Sequence, residues 1–188
     1  QTNVATLIVA YPHLKGKIAG ISLMGGGIAY GNWSAAAEFN ILVDPEAAKI
    51  EFESGLPIIM SGLDVTEQAL IFPEDFERVR AVGNPVAIVV AEWLEFFYKF
   101  HREIGYAGAP VHAAVAVTAL IFPDLLEMQE MYVQIETQGE YCRGMTVGDR
   151  RIPPKHAPNA KVCMNINRQG FAERLVEAVK TYDRKEAR

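Results

Sequence analysis

Leu23-Met24-Gly25-Gly26-Gly27 ends a short apolar run, and Gly31-Asn32, Glu38-Phe39-Asn40 and Asp44-Pro45-Glu46-Ala47-Ala48 follow it. An apolar run that stops at glycines reads as a β-strand leading into a turn. Glycine has no Cβ, so such a turn lets the backbone approach a ligand closely. The Asn and Glu side chains just beyond it supply the donors and acceptors that hold vicinal hydroxyls. The segment predicts a polar small-molecule site at the carboxyl end of a strand.

On either side of this segment, strands and helices alternate. A helix is predicted from Asn3 to Tyr11, with Pro12 at its end, and Ile18 to Met24 is the strand that reaches the glycines. Asp44-Pro45-Glu46 is a helix start, with Asp at the N-cap and Pro at the first helical position; the helix runs to Ser54 and stops at Gly55. Leu56 to Met60 is a buried strand, and Gly62-Leu63-Asp64 reads as a loop in which Asp64 caps the segment beginning Val65-Thr66. Pro73-Glu74-Asp75-Phe76 opens a short helix ending near Gly83. Val86 to Ile104 is a longer one, with Val86, Val90, Leu94, Phe97 and Phe100 on its apolar side. Val111 to Ile121 is a small-residue helix stopped by Pro123. Tyr132, Val133, Ile135 and then Val162, Met164, Ile166 read as strands, and Arg168 to Lys185 as a closing amphipathic helix. Such alternation predicts an α/β layered sheet, in which ligands bind beyond the carboxyl ends of the strands. Met24–Asn40 and Gly62–Asp64 both follow strands and are expected to face one crevice.

Composition sets the outer bounds. The 188 residues are 50% hydrophobic and 22% charged, with a net charge of -5. Mean hydropathy is +0.07. These values suit one α/β domain over 1–188 with a sizeable core. The negative charge, with acids and bases interspersed, argues against nucleic acid as a partner. No apolar run approaches the roughly 20 residues needed to span a bilayer, so no membrane is expected. Cys142 and Cys163 form no CxxC pair, and a reducing cytoplasm is the expected location. The chain starts Gln1-Thr2-Asn3 without an initiator Met and enters a helical pattern at once, as a chain joined mid-domain does.

The motifs in order resemble the inosine-uridine nucleoside hydrolases. Leu23-Met24-Gly25-Gly26 is similar to that family's LMGG element, and Gly62-Leu63-Asp64-Val65-Thr66 continues the match. Pro110-Val111-His112 resembles its PVHDA element, and Arg143-Gly144-Met145-Thr146-Val147 with Asp149 its RGMTV-x-D. The resemblance runs from Asn3 to about Val179. It implies an α/β fold with an open, mostly parallel sheet and helices on both faces, this chain corresponding to the C-terminal portion without the first strands. It also implies cleavage of ribonucleosides to ribose and free base. Met24, Asn32, Glu38 and Asn40 would hold the ribose, and His112 would protonate the leaving base. Family members commonly assemble as dimers or tetramers, so a homo-oligomer or a complementary N-terminal segment is the expected partner.

Two departures accompany the match. Family members begin with a DxDPGxDDA segment that supplies most Ca2+ ligands and the water-activating carboxylate, and nothing in these residues resembles it. Ala113 stands where the PVHDA pattern carries an Asp ligand of the same metal. Ca2+ takes six to eight oxygens, and a methyl group supplies none. This chain alone is therefore expected to bind no Ca2+ and to be inactive; the alternative is a non-catalytic ribose- or nucleoside-binding or interaction protein derived from the family.

Simpler readings stand beside these. The glycines also suit a plain strand-to-loop turn, His112 a satisfied buried histidine, and Glu38 and Asn40 an exposed edge. His13, His101 and His156 read as surface positions. Phe96, Phe97, Tyr98 and Phe100 read mostly as core, with one of them, or Tyr106, as a candidate to stack on a base.

Overall fold

The computed structural model describes residues 1–182. They form two compact units, Gln1–Thr66 with His112–Asn165, and Glu67–Val111 with the described residues from 166 onward.

The first unit contains α1 (Thr2–Ala10), β1 (Ile21–Met24), α2 (Phe39–Leu42), α3 (Pro45–Phe52), β2 (Ile58–Ser61) and α4 (Leu63–Thr66). The second unit's β3 (Leu70–Ile71), α5 (Pro73–Arg80), α6 (Pro85–Glu103) and β4 (Ala109–Pro110) come next in the chain. Then follow α7 (His112–Ile121), β5 (Leu126–Met131), β6 (Val133–Ile135), β7 (Thr146–Gly148) and β8 (Ala160–Ile166). The described chain closes with α8 (Arg168–Lys180), in the second unit; the part of the expected helix beyond residue 182 lies outside the described residues.

The central sheet has the order β1-β2-β8-β5. β1 runs parallel to β2, with Leu23 opposite Met60, and β2 parallel to β8, with Met60 opposite Val162. Because side chains alternate along a strand, this register puts Leu23, Ile58, Met60, Ala160 and Val162 on one face. That face packs with Ile41 and with Ala48 and Phe52 of α3 in one hydrophobic core. The other face meets α7, where Ser22 Oγ donates to the Ala116 carbonyl at 2.7 Å. The sheet thus has helices on both faces and orients the ends of β1 and β2 the same way.

Local chemistry explains the helix starts. The Asp44 side chain accepts from the Ala47 amide at 3.0 Å, capping α3 as the Asp-Pro pair predicts. Gly55 follows at φ +73°, the left-handed conformation that ends helices. Asn84 caps α6 in the same way, accepting from Ala87 N at 2.8 Å, and its Nδ2 donates to the Val179 carbonyl of α8 at 2.9 Å. In the second unit Val79, Ala87, Ala91, Val176 and Val179 make the core. The buried Asp75 carboxylate accepts from Arg78 at 3.0 Å and Arg168 at 2.6 Å.

Several expectations need correction. The strand before the glycines begins at Ile21, after a 3-10 segment over Pro12–Lys17. Gly62-Leu63-Asp64 is not an open loop, because Val65 N and Thr66 N both bond back to the Gly62 carbonyl and wind it into α4. His101 is buried rather than at the surface: its ring sits 4.2 Å from Phe97, 5.3 Å from Phe100 and 5.4 Å from Tyr106. The α6 aromatics are mostly not core. Phe96 is 75% and Phe100 61% exposed, because Ala87, Ala91 and Leu94 form the face that is buried.

Candidate functional site

The site is built where β1 ends. Gly25 N donates to the Ser61 carbonyl at 3.3 Å, so the glycine turn stays alongside the end of β2. Gly26 turns with φ +76°, and a Cβ there would lie 2.6 Å from Thr146 Cγ2 and 2.7 Å from Met60 Cε. Only glycine fits that backbone and that space. Its carbonyl accepts from Leu63 N at 2.8 Å, joining the turn to α4.

Glu38 is 3% exposed and braces this turn. Its Oε2 accepts from Gly26 N at 2.9 Å and from Ile41 N at 3.2 Å, the second bond capping α2. Burial pushes its carboxyl above the usual range, while the backbone N–H groups of Asn40, Gly26 and Ile41 pull it back. Asn32 Oδ1 accepts from Phe39 N at 3.0 Å, and Asn40 Nδ2 donates to the Met24 carbonyl at 3.3 Å and Met24 Sδ at 3.1 Å. Both asparagines are exposed, and the Asn40 carboxamide borders solvent beside the glycine turn. Glu38 and Asn40 therefore meet the glycine turn directly, through Gly26 N and Met24, and Asn32 is tied to the residue between them, Phe39.

His112 is the first residue of α7, the helix packed on β1, β2 and α4. Its Nδ1 lies 2.8 Å from Thr66 Oγ1. Ala113 follows it on the first turn and is exposed.

Three supporting residues escaped the sequence reading of the site. Thr146 accepts from Gly27 N and donates to the Gly27 carbonyl; it lay inside the RGMTV stretch without a role. Asp64 accepts from Ile28 N at 2.6 Å and Ala29 N at 3.0 Å, so it braces the segment after the glycines. Thr66 holds His112. The remaining acid of the RGMTV-x-D stretch, Asp149, is bound by Arg151 Nε and Nη2, both at 2.7 Å, which hold its carboxyl far below the usual range.

The family model of the inosine-uridine preferring nucleoside hydrolases matches residues 1–173. The chain belongs to this family. Pyrimidine-specific ribonucleoside hydrolase RihA of Escherichia fergusonii is 50% identical over 184 residues, covering 97% of this chain and 59% of that protein. The structure of a purine-preferring ribonucleoside hydrolase from Gardnerella vaginalis matches with TM-score 0.85 and 29% identity, over 96% of this chain and 59% of that one. A plant nucleoside hydrolase, PpNRh1, matches with TM-score 0.86 and 26% identity, over 95% and 59%. The nucleoside hydrolase resemblance and the α/β fold with a mostly parallel sheet are both borne out. The chain spans about three-fifths of the length of these relatives.

Whether a nucleoside hydrolase Ca2+ fits these residues can be tested on their donors. Ala113 offers no side-chain oxygen. Among the described residues, no group of three or more His, Cys, Asp or Glu is placed to hold a metal ion. These residues do not make the oxygen cage that Ca2+ requires.

Proposed function

We propose that this chain carries the ribose-holding and leaving-group side of a nucleoside N-ribohydrolase site, which cleaves ribonucleosides to ribose and free base. The observation that carries the proposal is that Glu38 and Asn40 bond Gly26 N and Met24 at the carboxyl end of β1, with Asn32 tied to Phe39 between them. Cleavage of an N-glycosidic bond passes through an oxocarbenium-like ribosyl cation as negative charge builds on the departing base. In this proposal Asn32 and Asn40 orient the sugar hydroxyls. Glu38 keeps the turn in shape and takes part in holding the ribose, and His112 assists departure of the base from the N-terminus of α7. Proton transfer to a leaving group is typically worth roughly 10²–10⁴-fold.

Activation of the attacking water is assigned to no residue here, because the donor set does not fit the metal. The 188-residue chain alone is proposed to be inactive. A second reading, a non-catalytic ribose- or nucleoside-binding or interaction protein, is favoured by Ala113. Titration of the chain with ribose and with uridine, followed by amide NMR, tests the shared part of both. Shifts at Gly25–Gly27 and Asn40 that Asn40→Ala removes are expected, and shifts confined to other regions would refute it. Ribose release after the metal side is supplied then separates enzyme from binder.

Association with a second copy or a complementary chain belongs to the same proposal, supported by Trp93, Phe96 and Phe100 standing 61–75% exposed on α6. Free thiols at Cys142 and Cys163 support a reducing compartment such as the cytoplasm. Among the described residues, no helix is long and apolar enough to cross a membrane.

A further inference from the structure

We propose that Thr66 is a positioning residue that fixes the tautomer of His112, placing the ring proton on Nε2, and that the α4 turn holds this histidine in register with the glycine turn. The part of this inference that concerns catalysis rests on the hydrolase reading above; the tautomer itself does not.

Thr66 is fully buried, with 0% of its surface exposed. A valine of nearly the same shape would fill the space without burying a hydroxyl, and an unsatisfied buried hydroxyl costs about 1–3 kcal/mol. The hydroxyl meets His112 Nδ1 at 2.8 Å, the length of an ordinary hydrogen bond. One proton lies between these two atoms. If Nδ1 carried it, the Thr66 oxygen would accept, and its own hydroxyl proton would need a second acceptor. Among the described residues, Nδ1 is the group that Thr66 Oγ1 bonds. Donation from Thr66 to an unprotonated Nδ1 satisfies both atoms. A neutral imidazole carries a proton on one nitrogen, so Nε2 is the donor.

The surroundings make this arrangement rigid. Leu63 and Val65, which precede Thr66 on α4, are also 0% exposed. Thr66 N bonds the Gly62 carbonyl at 3.0 Å, Leu63 N bonds the Gly26 carbonyl at 2.8 Å, and Asp64 holds Ile28 N and Ala29 N. One turn of helix therefore grips the glycine segment by its backbone and His112 by its ring. An Nε2–H donor held in this register is suited to charge building on a departing base, the place where a fixed donor accelerates most.

The test is 15N NMR of the imidazole in the 188-residue chain, at a pH where the ring is neutral, for wild type, Thr66→Val and Thr66→Ser. In wild type, His112 is expected to carry its proton on Nε2 at a ratio of at least about tenfold, with Nδ1 shifted as a hydrogen-bond acceptor, the ratio one good hydrogen bond supplies. Thr66→Val should move the two nitrogen shifts toward each other as the ring samples both tautomers, and Thr66→Ser should restore the wild-type pattern. A wild-type ring protonated on Nδ1 would overturn the proposal, as would a folded Thr66→Val with an unchanged ring spectrum. Should the valine variant not fold, the acceptor shift of Nδ1 in wild type and Thr66→Ser decides: its presence supports the proposal and its absence refutes it. Because no turnover is needed, failure here leaves the hydrolase reading intact, and failure of that reading leaves the tautomer result standing.

Discussion

The Thr146 hydroxyl closes a two-way bond with one residue, accepting from Gly27 N at 2.9 Å and donating to the Gly27 carbonyl at 2.8 Å. Thr146 is 1% exposed, so water cannot replace either bond. Thr146→Val keeps the shape and strands a buried donor and a buried acceptor. A loss of about 2–4 kcal/mol is expected, measured as a lower urea midpoint at unchanged m. Thr146→Ser should recover most of it. A valine variant as stable as wild type would show that the staple contributes nothing.

Gly26→Ala should be at least as damaging. The left-handed backbone strains any L side chain, and the new Cβ would meet Met60 Cε and Thr146 Cγ2 at 2.6–2.7 Å. A destabilisation of about 2–4 kcal/mol is predicted from strain and overpacking together. Gly105→Ala, also at positive φ but with nothing within 4 Å of the added Cβ, should cost only the backbone strain, about 1 kcal/mol. Equal losses at the two positions would contradict the packing argument.

The turn, the strand before it and the helix starts could be read from sequence because each depends on neighbours in the chain. Asp44-Pro45 caps a helix whatever lies across from it. Leu126–Met131 could not be read that way: Leu, Glu, Met and Gln are good helix formers, and only pairing in the sheet makes LEMQEM the strand β5. The α6 aromatics show a related limit. Helical spacing shows that Phe96 and Phe100 share a side with other apolar residues, but small Ala87 and Ala91 are what allow the opposite side to pack closely. For the site, LMGG and the asparagines were readable as motifs. The roles of Thr146, Asp64 and Thr66 were not, since each acts on a residue 35 or more positions away.

Glu51 gives the stability a pH dependence. It is fully buried on α3, and burial pushes its carboxyl up to about 7 from an ordinary 4.5. The folded state therefore holds the proton more tightly than the unfolded chain. Its contribution is fully present below pH 4.5 and is lost as pH rises to about 7. The shift corresponds to about 3 kcal/mol, with Glu38 acting in the same direction. Glu51→Gln should remove most of the slope in unfolding free energy between these pH values and stabilise the protein at pH 8. A slope unchanged by Glu51→Gln would assign the titration elsewhere.

The exposed side of α6 predicts association. Light scattering at high concentration should give a species larger than the monomer. Trp93→Glu with Phe96→Glu should shift it to monomer without loss of helix content. A clean wild-type monomer would count against the proposal.

The most direct measurement of the central claim is ribose release from uridine and inosine by three proteins: the unmodified chain, the chain with Ala113→Asp, and Ala113→Asp fused to the aspartate-rich N-terminal segment of a full-length relative. No release is expected from the first two, and Ca2+-dependent release is expected from the third, lowered by Glu38→Ala and by His112→Ala, the latter most for poor leaving groups. Release by the unmodified chain, proportional to its concentration and abolished by Glu38→Ala, would contradict the account.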